Sequence, residues 1–210
     1  MYQDKLGTQV SQTIYLVRHG ETVWNRQGRL QGQSDSPLTL LGICQAEAIG
    51  EALRSRLDGQ PFEIHASPLG RTRQTAAIIT DMLGRDYMSI EFDDRLMEIT
   101  LGDRDGYAGW KAMARDFPED WKRQQADPWH YAHPNGESSQ MVKDRLTPVL
   151  AERRGHDIPT VIIAHGVVNK ILRGLYLELS NEATYALDRP QDAFHHLSAG
   201  SIETIEVEVE

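Results

Sequence analysis

Residues 13–22, TIYLVRHGET, are the stretch that decides the fold. Residues 13–17 are rich in apolar and β-branched side chains, which predicts a short strand that is buried on both faces. Arg18, His19 and Gly20 follow this strand directly. Strands buried on both faces are typical of parallel sheets, and such sheets bind ligands at the carboxyl ends of their strands. The residues after each further strand are therefore the first place to look for chemistry.

The rest of the chain alternates between strand and helix patterns. Strands are predicted at residues 62–66, 87–92 and 160–164, and an acidic edge strand is predicted at residues 201–210. Helices are predicted at residues 39–59, from 67 to about 83, from 138 or 139 to 150, and from about 167 to 177. This alternation predicts an α/β fold, a three-layer sandwich with a mostly parallel central sheet and helices on both faces.

Three local patterns make these expectations more specific. The first predicted helix has Thr39 as its N-cap and an apolar stripe at Leu41, Cys44, Ala48 and Ala52. In the second, the hydroxyl of Ser67 is expected to cap the helix, with a proline in the first helical position. Proline at position 148 is expected to kink or shorten the third helix.

Composition and charge bound the class of protein. The 210 residues suggest one domain that buries about 70% of its unfolded surface. The 22 Lys and Arg residues against 31 Asp and Glu residues give a net charge of −9, which argues against nucleic acid or an anionic membrane as a partner. The polar residues 1–12 lack a secretory signal, the apolar runs are too short to span a bilayer, and the lone Cys44 fits a reducing compartment. We therefore expect a soluble, cytoplasmic protein.

Complementary polar residues follow four of the predicted strands. They are Arg18 and His19 after the first, Arg71 after the second, Glu98 beyond the third and His165 after the fourth. Each of them alone has a plainer explanation, since a His-Gly pair is usually part of a loop and a lone arginine usually belongs to a surface ion pair. Together they indicate one site at the edge of the sheet.

The chemistry of this set fits phosphoryl transfer. Arginine presents a planar fork of donors to phosphate oxygens. Arg71 is expected in the first turn of a helix and His165 just before another, so both helix N-termini would attract an anion. A neutral His19 could attack phosphorus, and Glu98 could protonate the leaving alkoxide and later deprotonate a water. We expect these cationic groups to act without a metal ion.

The run from Arg18 to Asn25 resembles the signature of the histidine phosphatase superfamily, the phosphoglycerate-mutase-like proteins. Further landmarks follow in family order at residues 29–32, 35–39, 42, 45–46, 67–72, 75–76, 98–99, 102, 106, 136–138 and 164–166. The resemblance implies that His19 is the phosphorylated nucleophile and Glu98 the proton donor. It also implies roles in holding phosphate for Arg18, Arg71 and His165, and in binding substrate for Asn25, Gln31, Gly32 and Gly166.

The resemblance further implies a single domain spanning residues 1–210, with a small helical cap inserted at about residues 103–135. This insertion is shorter than that of the mutases, and its only basic pair is Lys122-Arg123. We therefore favour a phosphatase that hydrolyses a small phosphorylated metabolite, over a phosphoglycerate mutase or a non-catalytic phospho-ligand binding protein. The chain departs from the family pattern at Val167 and Lys170, which puts the shape of the substrate pocket in question. No cofactor is expected, and the sequence leaves the substrate and the oligomeric state open.

The histidines and the aromatic residues of the cap each allow more than one interpretation. Histidines 130, 133, 195 and 196 could suggest zinc, but the first two lack cysteine partners and are more simply explained as rim or solvated side chains. The aromatic and apolar residues of the cap could form a lid over the pocket, or they could pack a small helical subdomain, which is the favoured interpretation. They are Tyr107, Trp110, Met113, Trp121 and Trp129. A P-loop is excluded because its sequence pattern is absent.

Overall fold

A central six-stranded sheet organises the computed structural model, which describes residues 13–153 and 156–209. In chain order its strands are β1 (Ile14–Arg18), β2 (Glu63–Ala66), β3 (Ile90–Phe92), β4 (Thr160–Ala164), β5 (Ala193–Ser198) and β6 (Ser201–Glu206). Their order across the sheet is β3-β2-β4-β1-β5-β6. The first four run parallel, and β5 and β6 join antiparallel at one edge. The predicted α/β fold with a mostly parallel sheet is confirmed.

Eight helices lie between or beside the strands in the described residues. They are α1 (Val23–Arg26), α2 (Leu40–Leu57), α3 (Gly70–Met82), α4 (Trp110–Asp116), α5 (Pro118–Ala126), α6 (Ser139–Arg153), α7 (Gly166–Tyr176) and α8 (Asn181–Ala186). Single 3-10 turns occur at Tyr87–Ser89, Asp94–Leu96 and Gly102–Arg104. Within residues 13–153 and 156–209, no helix has both the length and the apolar character that crossing a membrane requires.

The sheet is covered on both faces. Alternate residues of β1 point to opposite sides because side chains alternate along a strand. Leu16 packs in a cluster with α6 and α7, and Val17 packs in a second cluster with α2 and α3. The apolar groups of both clusters are removed from water, at roughly 25 cal/mol for each Å² of apolar surface. The two clusters are the cores of a three-layer sandwich.

The apolar stripe predicted for α2 is wrong by about one position. Leu41 is 42% exposed, and the buried face is lined instead by Gly42, Gln45, Ala46, Ile49, Gly50, Leu53 and Leu57. The small and polar residues at the start of this face contact the loop after β1. Gln45 accepts a hydrogen bond from the backbone N–H of Glu21 through its side-chain oxygen, at 2.8 Å. This end of α2 is therefore built to hold a loop rather than to fill the core.

Ser67 does not cap a helix. The helix that was predicted to begin at this residue, α3, begins at Gly70, and its N-cap residue is Leu69, which makes no side-chain cap hydrogen bond. The Ser67 hydroxyl instead lies 2.7 Å from Nε2 of His165. Ser67 thus has a side chain that is typical of an N-cap, but here its hydroxyl contacts the ring of His165.

Three further expectations differ from the structure. The predicted strand at residues 87–92 is a strand only from Ile90, because the Asp86 carboxylate accepts from the backbone N–H of Met88 and favours a 3-10 turn. Pro148 does not end α6, since it lies on the exposed side of a helix whose opposite side is buried in the core. The strand β5 was missed. The edge strand predicted at residues 201–210 is shorter in the structure: it spans Ser201–Glu206, and residues 207–209 are not part of a strand. Residues 1–12 and Glu210 lie outside the described residues.

The segment expected to be a cap contains α4 and α5. Its small core is formed by Leu30, Leu101 and Met113, against which Tyr107 and Trp121 pack. An ion pair between Arg104 and Asp120, 2.7 Å long, crosses the segment. Trp129, in contrast, is part of the main core beside α6. Packing thus accounts for Met113 and Trp129, as favoured above.

The loop after β1 meets α2 where neither backbone carries a side chain. A Cβ on Gly20 would lie 2.1 Å from the carbonyl oxygen of Gly42, and a Cβ on Gly42 would lie 2.1 Å from the carbonyl oxygen of Glu21. Real Cβ atoms do not approach backbone atoms so closely. Both positions therefore require glycine, and the loop that carries His19 is set by its contact with α2.

We expect Gly42→Ala to destabilise the protein by about 1–3 kcal/mol, because the added methyl group must push the loop away from the helix. Chemical denaturation should show the loss. Gly59→Asn is the control, since Gly59 has a φ of 69° with nothing near its Cβ position, and asparagine tolerates that conformation. Equal stability of the two variants would contradict the proposed packing constraint.

Candidate active site

The ends of three parallel strands bring the predicted residues together. The backbone N–H of His19, just past β1, donates to the carbonyl of Ala164 at the end of β4 (3.1 Å). The backbone N–H of Ser67, just past β2, donates to the carbonyl of Ile163 at 3.0 Å. Because β1 and β2 flank β4, the residues that follow all three strands lie at one edge of the sheet.

His19 lies at the centre of this edge and is only 3% exposed. Its Nδ1 lies 2.8 Å from the Gly20 carbonyl, which can only accept, so Nδ1 carries the proton and Nε2 carries the lone pair. The Nε–H of Arg71 donates to this Nε2 at 3.3 Å. Burial and the guanidinium groups of Arg71 and Arg18 hold the pKa of His19 well below its usual value. The imidazole is therefore neutral near pH 7.

Arg71 is completely buried, and the protein fixes its guanidinium group from several sides. One terminal nitrogen donates to the carbonyl of Ser34 (3.0 Å) and to a carboxylate oxygen of Asp35 (3.2 Å). The other donates to the carbonyl of Gly32 at 2.6 Å. Arg71 is in the first turn of α3, as predicted, so its charge adds to the positive end of that helix.

His165 completes the floor of the site. It is the N-cap residue of α7, and its ring centroid lies 5.2 Å from that of His19. Burial, together with Arg71 and His19, holds the pKa of His165 well below its usual value. Nε2 of His165 contacts the Ser67 hydroxyl, while its buried Nδ1 has no hydrogen-bond partner among the described residues. A bound anion would supply the hydrogen-bond partner that Nδ1 of His165 lacks among the described residues.

Arg18 is the second guanidinium group of the site. It donates to the carbonyl of Arg189, and its buried Nε has no partner in the described part of the chain. Burial lowers the pKa of Arg18 to about 10, with the charges of Arg189 and Arg71 acting in the same direction and that of Glu98 opposing them. A half-buried cation with a donor that is unpaired among the described residues favours binding of an anion.

Glu98 lies on the wall of the same site and is mostly buried. One of its carboxylate oxygens accepts from the backbone N–H of Ile99 at 2.9 Å, and the other accepts from that of Val167 at 3.2 Å. Val167, which departs from the family pattern, contributes to this contact only through its backbone. The substitution therefore leaves the position of Glu98 intact.

A cavity of about 770 Å³ opens above these residues. Six of the predicted site residues line it: Arg18, His19, Asn25, Gln31, Glu98 and Gly166. Asn25 donates through its amide nitrogen to the side-chain oxygen of Gln31 at 3.3 Å, so these two residues support each other at the cavity wall. Gly32, expected to line the pocket, acts differently: it holds Arg71 through its carbonyl. Arg71 and His165 lie in the floor behind His19.

The cap segment supplies the opposite wall of the cavity. Trp110, Trp121, Gln124, Tyr131 and His133 are among its lining residues. Trp110 is 40% exposed, although it is large and apolar. Both rings line the cavity, and Trp121 also packs against the small core, so for these two residues the lid stays a prediction beside the packing interpretation. The packing interpretation holds for their neighbours in the small core.

Several residues of the site were missed by sequence reasoning. Gln191 donates through its side-chain amide to the carbonyl of His19 (3.1 Å) and to Asn25 (3.2 Å). Asp105 accepts from the backbone N–H groups of three consecutive residues, 32–34, at 2.5–3.0 Å. This carboxylate holds the loop whose carbonyls bind Arg71. Residues 32 and 35 are among the landmarks of the family resemblance, and the structure shows that both accept hydrogen bonds from Arg71.

The histidines that could suggest zinc do not converge. Nδ1 of His130 contacts Asp127 at 3.1 Å, and His133 packs between Trp110 and Tyr131. His195 contacts the hydroxyl of Thr204 from β5. Over residues 13–153 and 156–209, no three His, Cys, Asp or Glu side chains are placed to hold a metal ion together.

Known proteins share both the sequence and the fold. The chain is 39% identical over 162 residues to the probable phosphoglycerate mutase GpmB of Salmonella paratyphi C, a match that covers 73% of this chain and 69% of that protein. A mycobacterial glucosyl-3-phosphoglycerate phosphatase, solved in complex with VO3, is 31% identical. That match covers 94% of this chain and 98% of the phosphatase, with a TM-score of 0.75.

A third protein is similar in fold alone. A putative alpha-ribazole-5'-P phosphatase from Escherichia coli has a TM-score of 0.76 at 22% identity, over 93% of this chain and 95% of that protein. The family model for the histidine phosphatase superfamily (branch 1) matches residues 14–203, which include every predicted site residue. The chain therefore belongs to branch 1 of the histidine phosphatase superfamily.

Proposed function

We propose that this protein is a phosphomonoesterase that hydrolyses a small phosphorylated metabolite through a phosphohistidine at His19. The observation that carries the proposal is the state of this side chain. Its Nε2 lone pair is free of a proton, lies 3.3 Å from a guanidinium Nε–H, and sits at the base of a cavity with a carboxylate on its wall. These groups supply an unprotonated nitrogen that can attack phosphorus, a guanidinium group for the phosphoryl oxygens and a carboxyl group for the leaving oxygen.

In the first step, Nε2 of His19 bonds to phosphorus as the ester P–O bond breaks. The leaving oxygen takes a proton from the carboxyl group of Glu98. In the second step, a water attacks phosphorus, its proton passes to the Glu98 carboxylate, and the P–N bond breaks. Inorganic phosphate and a neutral His19 result, so both groups return to their starting state.

The charged and hydrogen-bonding groups around His19 stabilise the charge of the transferring phosphoryl group. Arg18, Arg71 and His165 surround His19, and the N-terminus of α7 adds partial positive charge. Phosphoryl transfer depends mainly on positioning and on such charge stabilisation. We propose that these groups suffice without a metal ion.

Two measurements test this function. Phosphate release from phosphorylated metabolites should persist in the presence of a metal chelator. Rapid acid-free quenching with labelled substrate should trap a phosphoenzyme that is stable to alkali and labile to acid, as a phosphoramidate is. Activity that requires added metal, or turnover with no trapped intermediate, would argue against the covalent route. Tight phosphate binding with no turnover would indicate the binding protein that the sequence left open.

One observation favours a second candidate, a phosphoglycerate mutase. The sequence suggested too few cations near the pocket for a mutase, but the structure brings Arg29, Lys170 and Arg189 to the cavity wall. Phosphorus NMR on 3-phosphoglycerate, with catalytic 2,3-bisphosphoglycerate, distinguishes the two functions. We expect inorganic phosphate to accumulate faster than 2-phosphoglycerate, and the reverse order would favour the mutase.

The cytoplasmic location predicted from the sequence is retained as part of this proposal. It rests on the single cysteine, Cys44, which fits a reducing compartment. Cell fractionation with an antibody would test it.

A further inference from the structure

The cavity has a second group of cations beside the phosphate site. Lys170 and Arg189 lie on the wall formed by α7, α8 and the segment that follows α8. Lys170 is four residues beyond Gly166 in α7, which corresponds to about 6 Å along the helix axis. A group bound by Lys170 would therefore be separated from the phosphoryl group by a few bonds.

Lys170 is held in place but not neutralised. Its ammonium nitrogen donates to the carbonyl of Tyr185 at 2.8 Å and lies 4.2 Å from the centroid of the Tyr185 ring. The residue is only 6% exposed, and the described residues supply no carboxylate partner for it. An ammonium group has three donors, so donors remain for a ligand.

Arg189 is arranged in a complementary way. Its stem packs on Gly166, where a Cβ would lie 3.1 Å from Cδ of Arg189 and 3.4 Å from Nε of Arg18. Both arginines thus approach the same glycine at the N-terminus of α7. Within the described ranges, the guanidinium group of Arg189 has no ion-pair partner, and it is exposed. Its fork of donors is therefore available to an anion.

The carboxylates of the wall do not balance these charges. Glu137 is paired with Arg145 at 3.0 Å, and Asp188 is paired with Arg173 at 2.8 Å. The third carboxylate, Glu98, faces several cations. Burial lowers the pKa of Lys170 to about 8, with Arg189 and Arg173 acting in the same direction and Glu98 opposing them. A local excess of positive charge in a chain of net charge −9 favours an anionic ligand.

We infer that Lys170 and Arg189 form a second anion subsite, which binds an anionic group, a carboxylate or a second phosphate, on the alcohol portion of the substrate. This inference rests on the proposed function and narrows its substrate class. The phosphoryl group to be transferred occupies the site of Arg18, Arg71 and His165. The second anion binds one helical turn away, so substrates with two anionic groups react faster than matched substrates with one.

A matched pair of compounds tests the subsite. 3-Phosphoglycerate and glycerol 3-phosphate differ in that a carboxylate replaces a hydroxymethyl group. We expect kcat/KM, from consumption followed by phosphorus NMR, to favour 3-phosphoglycerate by about 10- to 100-fold, the range for a hydrogen bond between charged groups. Glucose 1,6-bisphosphate against glucose 6-phosphate shows whether a phosphate serves equally well.

Three variants assign the preference to the two residues. Lys170→Met and Arg189→Met keep the stems and remove the charges, and each is expected to reduce the preference about tenfold or more. Lys170→Arg, which keeps the charge, should retain the preference. Lys122→Met is the control, because Lys122 is exposed on α5 and pairs only with Glu119 among the described residues. An identical preference in the wild type and in both methionine variants would overturn the inference.

The pH dependence provides an independent readout. Lys170 is charged below its pKa and neutral above it, so the preference for 3-phosphoglycerate should fall as the pH rises through about 8. The fall should disappear in Lys170→Arg. If neither compound is consumed, the proposed function is judged on other phosphorylated metabolites, and calorimetric binding of the same pair still tests the subsite. Equal dissociation constants for the two compounds would then overturn it.

Discussion

His19→Ala is expected to lower kcat/KM by a factor of about 10⁴ or more, because it removes the atom that bonds to phosphorus. The fold should persist, since the ring contributes no more than two hydrogen bonds to the surrounding structure. Circular dichroism and thermal unfolding check the fold, and phosphate release checks turnover. The trapped phosphoenzyme should be absent from this variant.

The control for this variant is His195→Gln. His195 is also a buried histidine of the central sheet, but it contacts Thr204 of the neighbouring strand and lies outside the proposed machinery. The activity of His195→Gln should stay within about twofold of the wild type, because the substitution lies away from the site. Substantial turnover by His19→Ala would show that another group is the nucleophile.

Arg71→Met is expected to reduce both stability and activity. The buried guanidinium donates to Asp35, to two backbone carbonyls and to Nε2 of His19, and its removal takes these hydrogen bonds away. Breaking a buried charged network typically costs about 3–5 kcal/mol. Loss of one donor to the developing charge typically lowers kcat by about 10²–10³. Urea denaturation and steady-state kinetics measure the two effects.

Arg73→Met is the matched control, two residues further along α3. Arg73 is exposed, donates to the carbonyl of Pro68 and lies over the ring of Phe92, so its loss should cost about 1 kcal/mol or less. Arg71→Lys separates charge from geometry, because lysine keeps the charge and loses the fork. Equal effects of Arg71→Met and Arg73→Met would contradict the role of the buried network.

The convergence of His19, Arg71 and His165 followed from the sequence for a geometric reason. Parallel strands end at one edge of a sheet, so residues that directly follow such strands must lie near one another. The strands themselves were recognisable because they are short apolar runs. The distances between the functional groups, such as 3.3 Å between Nε of Arg71 and Nε2 of His19, depend on tertiary packing, which cannot be read from a sequence pattern.

The errors occurred where site contacts overrode local preference. Ser67 has the side chain of a cap but is needed by His165, so α3 begins later. The inner face of α2 starts with Gly42 and Gln45, which hold the loop after β1 and break the apolar pattern. The strand β5 carries two adjacent histidines, which conceal the alternation expected of a strand.

The second anion subsite was beyond sequence reasoning altogether. Lys170 was noticed only as a departure from the family pattern, and Arg189 was not singled out. The two residues are 19 positions apart, and the turn between α7 and α8 brings them to one wall. Neither residue follows a strand, so the rule that located the phosphate site does not apply to them.

The carboxylate of Asp105 connects the cap segment to the loop that holds Arg71. It belongs to the segment that begins the cap, and it grips the amides of residues 32–34, whose carbonyls in turn orient Arg71. A change in the cap that moves Asp105 therefore also moves residues 32–34, whose carbonyls orient Arg71. We therefore expect cap substitutions that change specificity to alter the catalytic rate as well.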